Sequence, residues 1–169
     1  MIPEIIETIL DKVNFQKRDD FREFLKKCIY QYSNERDKYK EAERQYKSIV
    51  FKLDLFFKNF GSFLNECGKD KKLESGVVAL MAIAEELQID INPSEAFVLF
   101  HLRDLGKFKI REAKLLSELK SIWGQYKEYQ LDEEGLTDAL HTLSNERLID
   151  YRKGNMSYCP TVILRYKEA

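Results

Sequence analysis

Asn92-Pro93-Ser94-Glu95 is the sharpest helix-start signal in the chain, and it fixes where the last third begins. Asn92 is a good N-cap, and Pro93 fills the first helical position with its φ already set. Glu95 stands where its carboxylate can return to the cap's backbone N–H. Behind it Ala96, Phe97, Leu99, Phe100 and Leu105 make one apolar helix that Gly106 ends, and Lys107 to Ile110 leaves room for only a brief strand. Arg111 to Trp123 predicts a second helix, with Ala113, Leu116, Leu119, Ile122 and Trp123 on one side and Gly124 as its stop. Asp132 caps a third, running to Arg147, in which Leu136, Ala139, Leu140 and Leu143 face inward. Leu148 to Arg152 then returns as a strand. At the hairpin centred on Lys153-Gly154-Asn155 the Gly-Asn pair supplies the positive φ angles a tight turn needs, and Met156 to Leu164 pairs back, with Pro160 confining that strand to an edge or a break.

This order of helix, strand, helix, helix and hairpin resembles the winged helix-turn-helix superfamily, most clearly in Leu136-Thr-Asp-Ala-Leu-His-Thr-Leu-Ser-Asn-Glu-Arg-Leu-Ile149 and the hairpin after it. The similarity spans roughly residues 92 to 166 and rests on pattern. It implies a module whose third helix reads bases and whose hairpin, the wing, grips the nucleic-acid backbone. Two features depart from that expectation. Gly124 to Leu131 separates the second and third helices, where repressors commonly use about three or four residues. The third helix also carries Asp132, Glu133, Glu134, Asp138 and Glu146 against Arg147 alone, and carboxylates beside phosphates cost affinity. Glu133, Glu134, Asp138 and His141 are therefore candidate contacts for a basic partner protein. Cations gather elsewhere, and Lys107, Lys109, Arg111, Lys114, Arg152 and Lys153 are the candidate nucleic-acid contacts, with Lys120, Arg165 and Lys167 nearby in sequence. An ordinary solvated surface accounts for either set equally well.

The N-terminal part reads as helical. Pro3 starts a short helix with Ile5, Ile6, Ile9, Leu10 and Val13 on one face. Asp20 and Glu23 have capping-box spacing, and from Phe21 to Phe63 apolar residues recur at alternating intervals of four and three, interrupted at Glu35. With no Gly or Pro before Gly61, that stretch predicts one helix of ~45 residues, or two broken near Ser33-Asn34, the second being favoured. Phenylalanines crowd its second half. Tyr46, Leu53, Phe56, Phe60 and Phe63 are thus either an intramolecular core or a candidate oligomer interface. Val77 to Ala84 is apolar nearly all round and predicts a central helix.

At 169 residues the chain can bury roughly 70% of its unfolded surface. Lys plus Arg total 28 and Asp plus Glu 29, so a net charge of −1 attracts no polyanion globally, and any binding surface needs local segregation. Cys28, Cys67 and Cys159 are odd in number and form no metal-ligand spacing, which favours a reducing compartment. The acidic N-terminus and the lack of an apolar run near ~20 residues predict a cytoplasmic protein without membrane association.

Chemistry finds few footholds. His101 with Asp104, and His141 beside Asp138, have no companions for general-base or metal work. Adjacent Glu85-Glu86 and Glu133-Glu134 point to different sides of a helix. No phosphate-cradling or hydrolase motif occurs, and only seven glycines are present. Tyr126, Tyr129, Tyr151 and Tyr158 offer a set that would stack on single-stranded bases, against the plainer reading that they cover the core.

The fold class expected is mainly α: a helical region over 1–91 joined to a winged helix with a small β-hairpin over 92–169. The expected function is a non-enzymatic adaptor or accessory subunit acting through protein contacts, with no cofactor or metal. By fold analogy it is similar to the small winged-helix partners of ATPase-containing, chromosome-organising or defence assemblies. The alternative is a dimeric DNA-binding transcriptional regulator that dimerises through Phe21 to Phe63 and meets phosphates with its wing and second helix.

Overall fold

A computed structural model describes residues 1–31, 46–66, 72–103, 110–152, 155–159 and 162–167. In chain order these form α1 (Ile2–Lys12), α2 (Arg18–Cys28), β1 (Ile29–Gln31), β2 (Tyr46–Phe51), α3 (Leu53–Glu66), α4 (Lys72–Glu86), α5 (Pro93–Arg103), β3 (Ile110–Arg111) and α6 (Glu112–Trp123). A 3-10 turn (Lys127–Tyr129), α7 (Glu133–Asn145), β4 (Ile149–Arg152), β5 (Asn155–Tyr158) and β6 (Val162–Lys167) follow. The fold is mainly helical with two small antiparallel sheets, and it divides into two units that interleave in sequence. One unit takes Met1–Asp70, Glu85–Gln88 and Pro160–Ala169, and the other takes Lys71–Ala84 and Ile89–Cys159. A boundary drawn at Asn92 falls inside the second unit, and β6 belongs to the first.

In the first unit α1 starts with Pro3 in its first turn and buries Ile5, Ile6, Ile9 and Leu10. The capping box read at Asp20 is not formed. α2 begins earlier, after Lys17, which gives no side-chain cap, and Asp19 and Asp20 lie in the first turn where the helix dipole favours negative charge. Arg22 ties the two helices together by donating from Nε to Glu7 Oε1 at 2.6 Å. That guanidinium holds the Glu7 carboxyl below the usual carboxylate range.

The all-helical reading of residues 20–66, whether as one helix or as the favoured two, is corrected by strands at 29–31 and 46–51. Among the described residues α2 ends at Cys28 and α3 begins at Leu53; residues 32–45, with Ser33-Asn34, lie outside the described residues. The reason is visible in β2. It is the middle strand of the order β1-β2-β6, and its successive residues Ile49, Val50 and Phe51 are all buried, so both faces are covered there; such a strand gives a continuous apolar run that imitates helical periodicity. Ile29, Phe51 and Val162 face one another across the three strands and form one buried row.

Leu53, Phe56 and Phe60 are 0%, 0% and 1% exposed within the single chain, which supports the intramolecular-core alternative over the oligomer interface. Phe56 stacks on Phe60 at 5.0 Å and meets Phe51 edge-on at 5.9 Å and Phe24 at 5.8 Å. These are core contacts, each side chain contributing about 1.5–3 kcal/mol by burial. Tyr46 lies in β2 and Phe63 in α3, and their side chains lie outside the described set.

The second unit holds the rest of α4 and everything from α5 to β5. α4 buries Val77, Ala79, Leu80, Ala82 and Ile83, but it is not covered all round: Val78 is 51% exposed. α5 opens on the predicted box, with Asn92 N donating to Glu95 Oε1 and Glu95 N to Asn92 Oδ1, both at 2.8 Å. Phe97, Val98, Leu99 and Phe100 behind it are fully buried. Residues 104–109, including Asp104 and Gly106, lie outside the described residues. The sheet order is β3-β5-β4, with Arg152 opposite Asn155, so Asn155 is a paired strand residue without the positive φ expected of it; Lys153 and Gly154 lie outside the described residues. Pro160 lies outside the described residues, and the strand expected to run from Met156 to Leu164 is two strands in two different sheets.

Candidate functional site

α7 carries the acidic surface. Asp132 caps it by accepting from the Gly135 N–H at 2.6 Å, and a Cβ at position 135 would stand 2.8 Å from that same oxygen, so glycine suits the close approach. Leu136, Ala139, Leu140 and Leu143 recur at helical spacing and are all buried, which turns Glu133, Glu134 and Asp138 outward. None of these three carboxylates has an ion-pair partner among the described residues. His141 is exposed on the same helix and meets the Tyr151 ring edge-on at 5.4 Å, rather than bonding to Asp138.

The α7 helix ends without glycine. Arg147 takes the left-handed conformation at φ 61°, and Leu148 N donates to Leu143 O at 2.9 Å, closing the last turn.

α6 packs with a rotated register relative to expectation. Leu115, Leu119 and Trp123 form its buried row, whereas Leu116 and Ile122 are half-buried and Ala113 is exposed. The rotation aims Glu112 at its neighbours. Its Oε1 accepts from Thr137 Oγ1 at 2.5 Å and its Oε2 from Tyr151 Oη at 2.7 Å. The hydrogen bond to this carboxylate, with burial, raises the Tyr151 phenol above its ordinary value, since ionisation would set two negative charges together. Beside it lies a pocket of about 530 Å³ to which Glu112, Glu133 and Thr137 contribute polar groups and Leu116 and Leu136 apolar ones, with Arg111, Ala113 and Asn155 completing the lining. Sequence reading missed Glu112, although an acid in a helix's first turn, one residue after a candidate cation, was there to be noticed.

Of the candidate cations, Arg111 is the residue before α6, Lys114 sits in its first turns, and both are exposed. Arg111 and Arg152 are opposite Asn155 on its two sides, so strand pairing brings them into one cross-strand row. Arg152 is 85% exposed, and its Nε pairs with Asp150 at 2.9 Å. Lys107, Lys109 and Lys153 lie outside the described residues.

Other groups singled out in the sequence are occupied. His101 Nε2 lies 3.1 Å from Glu118 Oε2. Glu85 and Glu86 both pair with Lys12. Tyr129 is buried and stacks on Phe97 at 4.9 Å, and Tyr126 packs on the same ring at 5.4 Å, so neither is a free stacking platform; the Tyr158 side chain lies outside the described set. Among the described residues no group of three or more His, Cys, Asp or Glu is placed to hold a metal ion, and no helix is long and apolar enough to cross a membrane. No protein-family model matches the chain, and neither does any curated protein or solved structure.

Proposed function

We propose that this chain is a non-enzymatic adaptor or accessory subunit, whose second unit is a winged-helix module that docks a basic protein partner on the outer face of α7. The order α5, β3, α6, α7, β4, β5 with strands arranged β3-β5-β4 supports the winged-helix reading. The observation that carries the function is the exposure of Glu133, Glu134 and Asp138 with no ion-pair partner among the described residues. Three exposed carboxylates along α7 repel a phosphate backbone and attract Lys or Arg on a protein. By fold analogy alone, the setting for such a subunit is a larger assembly that contains an ATPase or acts on DNA.

The experiment is a charge reversal, Glu133→Lys with Glu134→Lys, in the full chain. A protein partner that copurifies with the unaltered chain is lost from the variant, while the circular dichroism spectrum stays the same. Partner recovery unchanged by the reversal defeats the reading.

A second reading, a DNA-binding regulator, is favoured by the Arg111–Asn155–Arg152 row. It requires that the unaltered chain retard duplex DNA, that binding fall steeply with salt, and that Arg111→Ala and Arg152→Ala weaken it. The adaptor reading requires little retardation by the chain alone.

A further inference from the structure

The pocket between the N-terminal parts of α6 and α7 has the chemistry of a cation receptor, and it lies on the face assigned above to a basic partner. We infer that it receives the guanidinium of an arginine presented by that partner, an inference that rests on the acidic-face reading. The two carboxylates lining it differ in how they are held. Glu112 is fixed at both oxygens by neutral hydroxyl donors, Thr137 at 2.5 Å and Tyr151 at 2.7 Å, which orient the group without cancelling its charge. Each carboxylate oxygen accepts more than one hydrogen bond, so both retain capacity for an incoming N–H. Glu133 is exposed and has no ion pair among the described residues.

The apolar part of the lining fits the same occupant. Leu116 and Leu136 offer surface for a methylene stem while the charged head meets the carboxylates, the division of labour a long cationic side chain makes. A volume of about 530 Å³ falls within the range of small-ligand pockets, roughly 300–1,000 Å³, and is ample for one side chain. Arg111 also lines the pocket but forms no ion pair with Glu112 or Glu133, so the side-chain charge of the lining is two carboxylates to one guanidinium, offset in part by the N-terminal ends of α6 and α7. The planar guanidinium is favoured over an ammonium because its fixed fork of donors can engage a preoriented carboxylate through two parallel bonds.

The test is a nuclear magnetic resonance titration of the full 15N-labelled chain with the peptide acetyl-Ala-Ala-Arg-Ala-Ala-amide. Controls are the same peptide with lysine or uncharged citrulline in the centre, and inorganic phosphate. The expected result is saturable movement of the Glu112, Ala113, Glu133 and Thr137 amides in roughly the millimolar range. The citrulline peptide binds at least about tenfold more weakly, and the lysine peptide is intermediate. Glu133→Gln, an exposed change that leaves the core alone, weakens binding several-fold, and Glu112→Gln does so wherever its spectrum shows an intact fold. Equal response to citrulline, equal response to lysine, movement of these amides by phosphate, or no saturable movement overturns the assignment. Binding that is lost in Glu134→Gln but indifferent to Glu133→Gln and Glu112→Gln overturns the pocket while leaving the acidic face standing. Failure of the charge-reversal experiment strikes that parent reading instead.

Discussion

Tyr151 on β4 donates its phenol to Glu112 on α6 at 2.7 Å, across 39 positions of sequence, and so pins the first turn of one helix to the hairpin strand. Thr137 completes the clasp from α7. Three elements of the second unit thus share one carboxylate. Removing one donor leaves Glu112 partly desolvated with a single partner.

Tyr151→Phe is therefore expected to lower stability by about 1–2 kcal/mol, read from the urea midpoint at neutral pH. The raised phenol adds a pH signature. A group whose folded pKa is raised contributes its stability in full below the unfolded value, near 10 for tyrosine, and loses it as pH rises through the folded value. Ultraviolet titration of the unaltered chain should show phenols ionising late, and Tyr151→Phe should delete one such component. An unchanged alkaline titration would remove the clasp from the account.

Cys28 offers a second check on packing. Burial, reinforced by the nearby negative charge of Asp54, pushes its thiol up to about 12, so almost no thiolate exists at pH 8. Iodoacetamide at that pH should leave Cys28 unmodified in the folded chain, and urea should expose it. Cys159 is half-buried, and burial raises its thiol too, so peptide mapping should find it modified slowly rather than spared. Rapid alkylation of Cys28 without denaturant would mean that the α2 end is open.

Much of the second unit was legible because its signals are local. Asn92 and Glu95 announce a helix within four residues, Asp132 announces another, and β4 and β5 are strands that are neighbours in sequence. The first unit is different. β2 finds β6 more than a hundred positions away, and nothing within Tyr46–Phe51 distinguishes a doubly covered strand from a buried helix until that partner is known. Glu112 escaped notice for a related reason. Its role depends on Thr137 and Tyr151, which only the folded arrangement brings to it.

Arg147 marks a place where sequence and backbone disagree. It adopts φ 61° at the end of α7, a conformation glycine takes without penalty, and its side chain forms no ion pair among the described residues. Arg147→Gly should therefore stabilise the chain by about 0.5–1 kcal/mol, partly offset by the greater unfolded-state entropy of glycine. The substitution also removes the one cation of the α7 segment. Under the adaptor reading it leaves partner binding intact or slightly strengthened, so a joint measurement of melting temperature and partner affinity separates the backbone effect from the electrostatic one.

Phe56 decides between core and interface. It touches Phe24, Phe51, Phe57 and Phe60 and is fully buried in the single chain, so Phe56→Ala opens a cavity among the rings. The expected loss is about 3–5 kcal/mol of unfolding free energy, with the sedimentation-derived mass of the remaining folded fraction unchanged. An interface residue would behave oppositely. Its truncation would leave monomer stability nearly intact and shift mass with concentration. Equilibrium urea unfolding at two protein concentrations distinguishes the cases: a midpoint that moves with concentration in the unaltered chain, and ceases to move in the variant, would place these rings between copies after all.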